Sequence, residues 1–238
     1  MSTSKQDLRE RIWDHLEAEG IARFPFPPHD RIPNVAGAED AADRLAETDE
    51  WQAADAIKAN PDAPQLPVRR RALREGKTVY MAVPRLRDEE PFYELDPGAI
   101  PAEEYDSAPT VSHVESYARQ VAPEEVAPVD LVVSGSVAVT DDGARVGKGE
   151  GYSDLEYAVL RELELVDAET PVATTVHDAQ VVDEAVAVEA HDVPMDLVVT
   201  PTRTIRTETG HEKPSGVLWD DLPEERVAEI PVLDGRRP

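Results

Sequence analysis

Large apolar side chains near the start of the chain recur at helical spacing. Between residues 5 and 19, one helical face carries Leu8, Ile12, Trp13 and Leu16. Ser4 stands just before this stretch, in the position of an N-cap. The pattern predicts an amphipathic first helix. Further helices are predicted over residues 38–45, 49–59 and 68–75, the last of them ended by Gly76.

Continuous apolar runs predict buried strands further along the chain. They cover residues 78–83, 130–139, 170–176 and 195–199. A helix is predicted over residues 155–165, between the second and third of these strands. Strands that alternate with helices favour an α/β fold with a mostly parallel sheet and helices on both faces. We therefore expect a three-layer α/β/α domain over residues 1–202.

Two segments show little periodicity. Residues 84–128 hold many Pro, Asp and Glu residues, and we expect a long surface excursion with one short helix. Residues 203–238 are rich in charge, Gly and Pro, with Trp219 as the only large anchor that we expect there. We interpret this last segment as a charged C-terminal extension of the domain.

The net charge of −26 narrows the function classes. The 50 acidic residues, against 24 basic ones, are spread over the whole chain of 238 residues. Nucleic-acid binding needs basic surface, so it is not expected. Because long apolar runs argue against disorder, we interpret the acid as an adaptation to high salt.

The sequence lacks cysteine, a long apolar run and a secretory signal, and these absences bear on the expected cellular location and chemistry. The chain has no cysteine, which removes disulfide and thiolate chemistry. It contains no apolar run of about 18 residues, the length that a transmembrane helix requires. The first residues lack the apolar core of a secretory signal. We expect a cytoplasmic protein, with the oligomeric state left open.

The strongest candidate for chemistry is the segment RVGKGEGYSD, Arg145–Asp154. Glycines at every second position, between a predicted strand and a predicted helix, let several backbone N–H groups approach an anion. Arg145 and Lys148 add positive charge that suits phosphate. The segment matches neither a Walker A loop nor the GxGxxG fingerprint. The alternative is a tight turn with surface charges.

Four other side chains extend this candidate site. Lys5 and Arg9 lie four residues apart on the first helix, where two like charges favour an anion between them. Asp154 and Asp192 are carboxylates that would suit Mg²⁺ beside a phosphate. The alternatives are a solvated helix face for the cations, a helix cap for Asp154 and a solvated loop for Asp192.

Several motifs occur together in a characteristic order. They are KQDLR (Lys5–Arg9), GK (Gly76-Lys77) before a strand ending in PRL (Pro84–Leu86), DLVVSGSVAVTDDGARVGKGEGYSD (Asp130–Asp154) and HDVPMDLVVTP (His191–Pro201). In this respect residues 5–201 resemble the 5-formyltetrahydrofolate cyclo-ligase family, also called 5,10-methenyltetrahydrofolate synthetase. The resemblance implies a three-layer fold like that of ribose-5-phosphate isomerase and CoA-transferase domains.

The resemblance also implies a reaction. In the family, ATP and Mg²⁺ serve to phosphorylate the formyl oxygen of 5-formyltetrahydrofolate; N10 then attacks the activated carbon and phosphate leaves. ADP, phosphate and 5,10-methenyltetrahydrofolate are the products. The resemblance therefore implies a small-molecule substrate, a reduced folate, together with ATP and Mg²⁺.

Site roles follow from the same resemblance. Lys5 and Arg9 would contact the ATP phosphates, and Arg145 and Lys148 would act on the transferring phosphate. The implied cradle consists of Gly147, Lys148, Gly149, Gly151 and Tyr152, with Tyr152 also along the pterin pocket. Asp154 and Asp192 would hold Mg²⁺.

The chain departs from the family pattern at two places. Ser153 stands where active members carry a second Tyr, and Pro64 and Gln65 stand near the position of a folate-binding Glu. In RIPNVAGAEDAADRL (Arg31–Leu45) and IKANPDAPQ (Ile57–Gln65), the chain is more similar to the branch of methenyltetrahydrofolate-synthetase-domain-containing proteins. Two alternatives follow: a paralog that uses the ATP site on another metabolite, or a non-catalytic nucleotide- or folate-binding protein.

Overall fold

Seven α-helices occur in the computed structural model, which describes residues 4–234 and 236–237. They are α1 Lys5–Ala18, α2 Ala38–Ala46, α3 Asp49–Ala53, α4 Leu66–Arg74, α5 Val114–Tyr117, α6 Tyr152–Glu162 and α7 Glu224–Ala228. Ser4 caps α1 by accepting a hydrogen bond from the backbone N–H of Asp7, at 3.0 Å. The predicted first helix is therefore confirmed together with its cap.

Eleven strands form two sheets in the same part of the chain. They are β1 Ala56–Ala59, β2 Thr78–Ala82, β3 Phe92–Leu95, β4 Arg119–Val121, β5 Leu131–Val133, β6 Ala138–Thr140, β7 Arg145–Val146, β8 Val172–Thr175, β9 Val181–Val182, β10 Leu197–Val199 and β11 Thr204–Arg206. The large sheet has the order β11-β10-β8-β5-β1-β2-β3-β4, and the small sheet has the order β7-β6-β9.

The centre of the large sheet is parallel. Strands β10, β8, β5, β1 and β2 pair in parallel, while β11, β3 and β4 add antiparallel edges. Alternate residues of the parallel strands enter two different cores, as the side-chain period of a strand requires. On β1, for example, Ile57 faces α2 and α4, while Ala56 faces α6. The expected three-layer α/β/α fold with a mostly parallel sheet is confirmed.

A third core joins α1 to the small sheet. The apolar face of α1 packs against Val137, Ala138 and Val146. Strands β6 and β7 of the small sheet precede α6 in the chain, and β7 ends at Val146, directly before Gly147 of the glycine-rich segment. This packing holds α1 beside that segment, although the two are far apart in the sequence.

Two predicted elements differ from the structure. The helix predicted over residues 49–59 is wrong beyond Ala53, because residues 56–59 form β1 at the centre of the sheet. The strand predicted over residues 130–139 is divided into β5 and β6, which belong to different sheets. The chain leaves the large sheet at Ser134–Gly135, where the glycine lies against Ile32 and Gln65.

The expectation of a surface excursion over residues 84–128 was wrong in part. This segment includes β3 and β4, which extend the large sheet, and Phe92 and Leu95 are fully buried. The polar composition of the segment gave no indication of these two short antiparallel strands, of which β4 is the edge strand. One short helix, α5, is present as expected.

The segment after residue 202 packs against the domain. Strand β11 continues the sheet beside β10, and Ile230, Val232 and Leu233 are buried in the core below α6. The expectation that Trp219 is its only large anchor was therefore wrong. None of the helices within residues 4–234 and 236–237 combines the length and the apolarity that crossing a membrane requires.

Candidate anion-binding site

The glycine-rich segment connects β7 to α6 and brings two arginines against its backbone. A Cβ at Gly147 would lie 2.9 Å from Nη1 of Arg145, and a Cβ at Gly149 would lie 3.3 Å from Cζ of Arg9. Gly149 also has φ of 105°, a conformation that favours glycine. The glycines therefore leave room for the guanidinium groups beside the loop.

Helix α1 supplies two cations to the same place. Arg9 donates from Nε to the carbonyl oxygen of Gly147 at 2.7 Å. Lys5 forms an ion pair with Asp192, with 2.5 Å between Nζ and Oδ2, across 187 residues of sequence. The shared helical face that the sequence predicts for Lys5 and Arg9 thus points at the loop and at the segment before β10.

Arg145 and Asp154 form a buried ion pair at the N-terminus of α6. Nη2 of Arg145 lies 2.5 Å from Oδ1 of Asp154, and the arginine also donates to the carbonyl oxygen of Gly135 at 2.9 Å. Asp154 Oδ1 accepts a further hydrogen bond from the backbone N–H of Val193 at 3.1 Å. The two side chains are 5% and 10% exposed, so solvent screens their attraction little.

The electrostatics of the site favour an incoming anion. Burial and the neighbouring Arg145 lower the pKa of Arg9, while Asp192 opposes that shift. Burial also disfavours the charged form of Arg145, but Asp154, together with Asp192 and Glu156, outweighs it, and the pKa of that arginine is raised. The guanidinium groups of Arg9 and Arg145 therefore repel each other in the neighbourhood of the α6 N-terminus, the positive end of the helix dipole. An anion there would relieve their repulsion.

A cleft of about 220 Å³ opens beside the loop, at the carboxyl ends of three parallel strands. Its walls include Asn60 after β1, Val83 after β2 and Gly135 after β5. Lys148 and Tyr152 of the glycine-rich segment also line it. Ligands of open α/β sheets commonly bind at such strand ends.

The floor of the cleft holds a polar network that the sequence pattern did not reveal. Lys58 on β1 forms a buried ion pair with Glu156 on α6 and donates to Oδ1 of Asn60 at 2.7 Å. Asn60 then donates to Oγ of Ser153 at 3.1 Å, and Ser153 donates to Oγ of Ser134 at 3.2 Å. Burial raises the pKa of Glu156, against the effect of Lys58.

Pro64 and Gln65, which stand near the position of the family's folate-binding Glu, are not among the residues that line the cleft. Pro64 and Gln65 are buried, and within the described residues neither amide atom of Gln65 has a hydrogen-bond partner. Asp62, two positions before Pro64, is the carboxylate of this segment that lines the cleft. Burial raises the pKa of Asp62, although Lys148, Arg69 and Lys58 oppose it.

The two remaining loop residues have partners of their own. Lys148 pairs with Glu150, with 2.7 Å between Nζ and Oε2, and keeps about a third of its side chain exposed. Tyr152 packs below Arg226, whose Cζ lies 4.0 Å from the ring centroid. Arg226 belongs to α7, and nothing local in the sequence indicated this contact.

The predicted metal ligands, Asp154 and Asp192, would suit a Mg²⁺ site that is completed by phosphate and water rather than one formed by protein ligands alone. The part of the chain that the structure describes holds no group of three or more His, Cys, Asp or Glu residues that could bind a metal. Asp154 and Asp192 each use one carboxylate oxygen for a cation partner, Oδ1 and Oδ2 respectively. Their second oxygens fit a cation that is bound by one or two carboxylates together with phosphate and water.

The sheet order and the cationic glycine loop define an α/β protein with a candidate anion site at its strand ends. The model of the 5-formyltetrahydrofolate cyclo-ligase family matches residues 1–201. The chain belongs to this family.

Individual relatives agree with that assignment. Over 98% of its length, the chain is 44% identical to the methenyltetrahydrofolate synthase domain-containing protein of Mus musculus, and it covers 63% of that protein. Over 100% of its length it is 40% identical to the protein of the same name from Homo sapiens, and covers 62% of it. The chain thus spans about three fifths of the length of these curated relatives.

A solved structure is similar as well. The 5,10-methenyltetrahydrofolate synthetase of Aquifex aeolicus, determined by NMR, superposes with a TM-score of 0.53 at 20% identity. The match covers 87% of this chain and 94% of that protein. At this identity the similarity supports the fold alone. The sequence indicated the branch of methenyltetrahydrofolate-synthetase-domain-containing proteins, and the two curated relatives carry the name of that branch.

Proposed function

We propose that the protein is an ATP- and Mg²⁺-dependent ligase that converts 5-formyltetrahydrofolate to 5,10-methenyltetrahydrofolate, with release of ADP and phosphate. Family membership supports the reaction class. The observation that carries the ATP part is the 2.7 Å hydrogen bond from Arg9 to Gly147, which joins α1 to the glycine loop. This contact places Arg9 of α1 beside the loop that carries Arg145 and Lys148, so cations from distant segments lie around the same stretch of backbone.

The residues would work by neutralising and positioning charge, as phosphoryl transfer requires. Lys5 and Arg9 would hold the distal phosphates from the α1 side. Arg145 and Lys148 would hold the transferring group from the loop side, where backbone N–H groups and the α6 N-terminus add to the positive potential. Tyr152 would face the acceptor in the cleft.

Asp154 and Asp192 would hold Mg²⁺ jointly with the phosphates. Each carboxylate is fixed by a cation, Arg145 or Lys5, so its second oxygen is oriented before the metal arrives. When bound, Mg²⁺ would neutralise charge that develops on the phosphate oxygens.

Formation of the methenyl product, followed by its absorbance, tests the proposal directly. The assay needs ATP, Mg²⁺ and 5-formyltetrahydrofolate at low and high salt. Helix α1 offers a matched pair of variants, since Arg9 contacts the loop whereas Arg11 forms an exposed ion pair with Glu184. Arg9→Ala should reduce product formation strongly, and Arg11→Ala should not. A folded protein that forms no product at any salt concentration would contradict the proposal.

A second function keeps the ATP site and changes the acceptor. It is favoured by Ser153, which stands where active members of the family carry a Tyr. This serine accepts a hydrogen bond from Asn60 and donates one to Ser134. The absence of a carboxylate at Pro64 and Gln65 points the same way. Calorimetry that detects binding of ATP but not of 5-formyltetrahydrofolate would support this alternative over the first.

A further inference from the structure

A second pocket, of about 410 Å³, lies between α6 and residues 214–226 of the C-terminal segment. Its walls are mainly apolar: Leu155 and Ala158 from α6, with Val217 and Leu222 from the segment. Its volume lies within the usual range for small-molecule sites. The matched family region ends at residue 201, so one whole wall comes from beyond it.

The wall is held to the domain at several points. Lys213 donates to the carbonyl oxygen of Thr170 at 2.8 Å, and Arg161 donates to that of Pro214 at 3.2 Å. Glu162 accepts from the backbone N–H of Val217 at 3.1 Å. These hydrogen bonds fix the segment that forms the wall against the domain, so the pocket is a regular part of the fold.

The pocket and the glycine loop share residues. Glu150, Gly151 and Asp154 line both the pocket and the cleft. Arg226 ties the two together, since it donates to the carbonyl oxygen of Glu150 and stacks on Tyr152. A ligand whose phosphates lie on the loop can thus extend past Gly151 into the pocket.

We propose that this pocket binds the nucleobase of a nucleoside triphosphate whose phosphates occupy the glycine loop. The inference rests on the ATP site of the proposed function. Apolar walls suit the faces of a flat heteroaromatic ring, and Asp221 and His191 at the rim offer hydrogen-bonding groups for its edge. The polar cleft on the other side of the loop, with Asn60 and Asp62, suits the acceptor instead.

Calorimetry with ATP and with inorganic tripolyphosphate, both with Mg²⁺, separates the base from the phosphates. ATP should bind at least tenfold more tightly than tripolyphosphate, which corresponds to about 1.4 kcal/mol. Equal affinities would overturn the base pocket and leave the phosphate site standing. Binding of neither ligand would overturn the phosphate site, and this inference with it.

Two variants of the segment sharpen the test. The double change Leu218→Ala/Leu222→Ala removes apolar wall, whereas Val227→Ala shortens a side chain of the same segment that does not line the pocket. The double variant should lose about tenfold in ATP affinity and keep its tripolyphosphate affinity. The Val227 variant should keep both. An unchanged ATP affinity in the double variant contradicts the proposal.

Photolabelling of the unaltered protein avoids any question of folding. An azido-adenine analogue of ATP should attach within residues 214–226 or on α6 near Ala158, and excess ATP should prevent the labelling. Labelling confined to the cleft residues after β1 and β2 would place the base there and overturn the inference.

Discussion

Arg145 and Asp154 show how one residue pair can serve both the fold and the site. Their ion pair is buried, so removal of either partner leaves a charge with little solvent. The same pair fixes the loop against Gly135 and α6. Lys148 differs, since it is partly exposed and bonds only to its neighbour Glu150 among the described residues. It is therefore the better residue for testing the loop.

Lys148→Ala should weaken the use of ATP without affecting the fold. A charged hydrogen bond to phosphate contributes about 1.5–3 kcal/mol, so the KM for ATP should rise by an order of magnitude or more. The thermal midpoint should stay within the error of the parent protein. Unchanged ATP kinetics would contradict the placement of phosphate on this loop.

The buried ion pair between Lys58 and Glu156 allows a prediction about the free energy of unfolding. Lys58→Met leaves Glu156 without its cation in the core and should lower the free energy of unfolding by about 3–5 kcal/mol. The double variant Lys58→Met/Glu156→Leu removes both charges and should recover most of that loss. Urea unfolding of the three proteins measures the difference, and equal losses in both variants would contradict a paired role.

Among the elements, α1 and the C-terminal segment each connect the core to the candidate site. One face of α1 fills the third core while Lys5 and Arg9 reach the loop. The C-terminal segment buries Ile230 and Leu233 below α6 and carries Arg226 to the loop. Both elements position charge only because their apolar residues are packed.

Ile230→Ala should therefore destabilise the protein. The side chain is fully buried, and truncation of this kind costs about 2–5 kcal/mol. Glu229→Ala, at the exposed neighbouring position, should change stability by about 0.5 kcal/mol or less. Urea unfolding compares the two variants. A loss at Ile230 no larger than that at Glu229 would show that the segment does not stabilise the domain.

Over the whole molecule, a charge of −26 surrounds a site that gathers positive side chains. The repulsion between carboxylates destabilises the compact state, and salt screens it. The Debye length falls from about 10 Å at 0.1 M salt to about 3 Å at 1 M. We propose on this ground that the protein is adapted to high salt.

The thermal midpoint should rise as KCl increases from 0.1 M to 2 M. Exposed ion pairs such as that between Arg206 and Glu50 weaken in salt, but each contributes little. The relief of net repulsion should therefore dominate. Differential scanning calorimetry checks the direction, and a midpoint that falls with salt would contradict the interpretation.

The sequence by itself determined the local parts of this protein. Helix α1 with its Ser4 cap, the alternation of strands and helices and the glycines of the loop follow from periodicity and backbone preference, which neighbouring residues set. The motif order also indicated the family. These features need no knowledge of which distant segments meet.

Only the tertiary structure decided how those parts combine. Strand β1 has four residues, too few to show a period, and it is a strand because β2 and β5 pair with it on both sides. Lys58 meets Glu156 across 98 residues of sequence for the same reason. The C-terminal segment looks polar, yet the core below α6 accepts its few apolar residues. Pairing and burial between distant residues depend on the whole arrangement, and no local pattern records them.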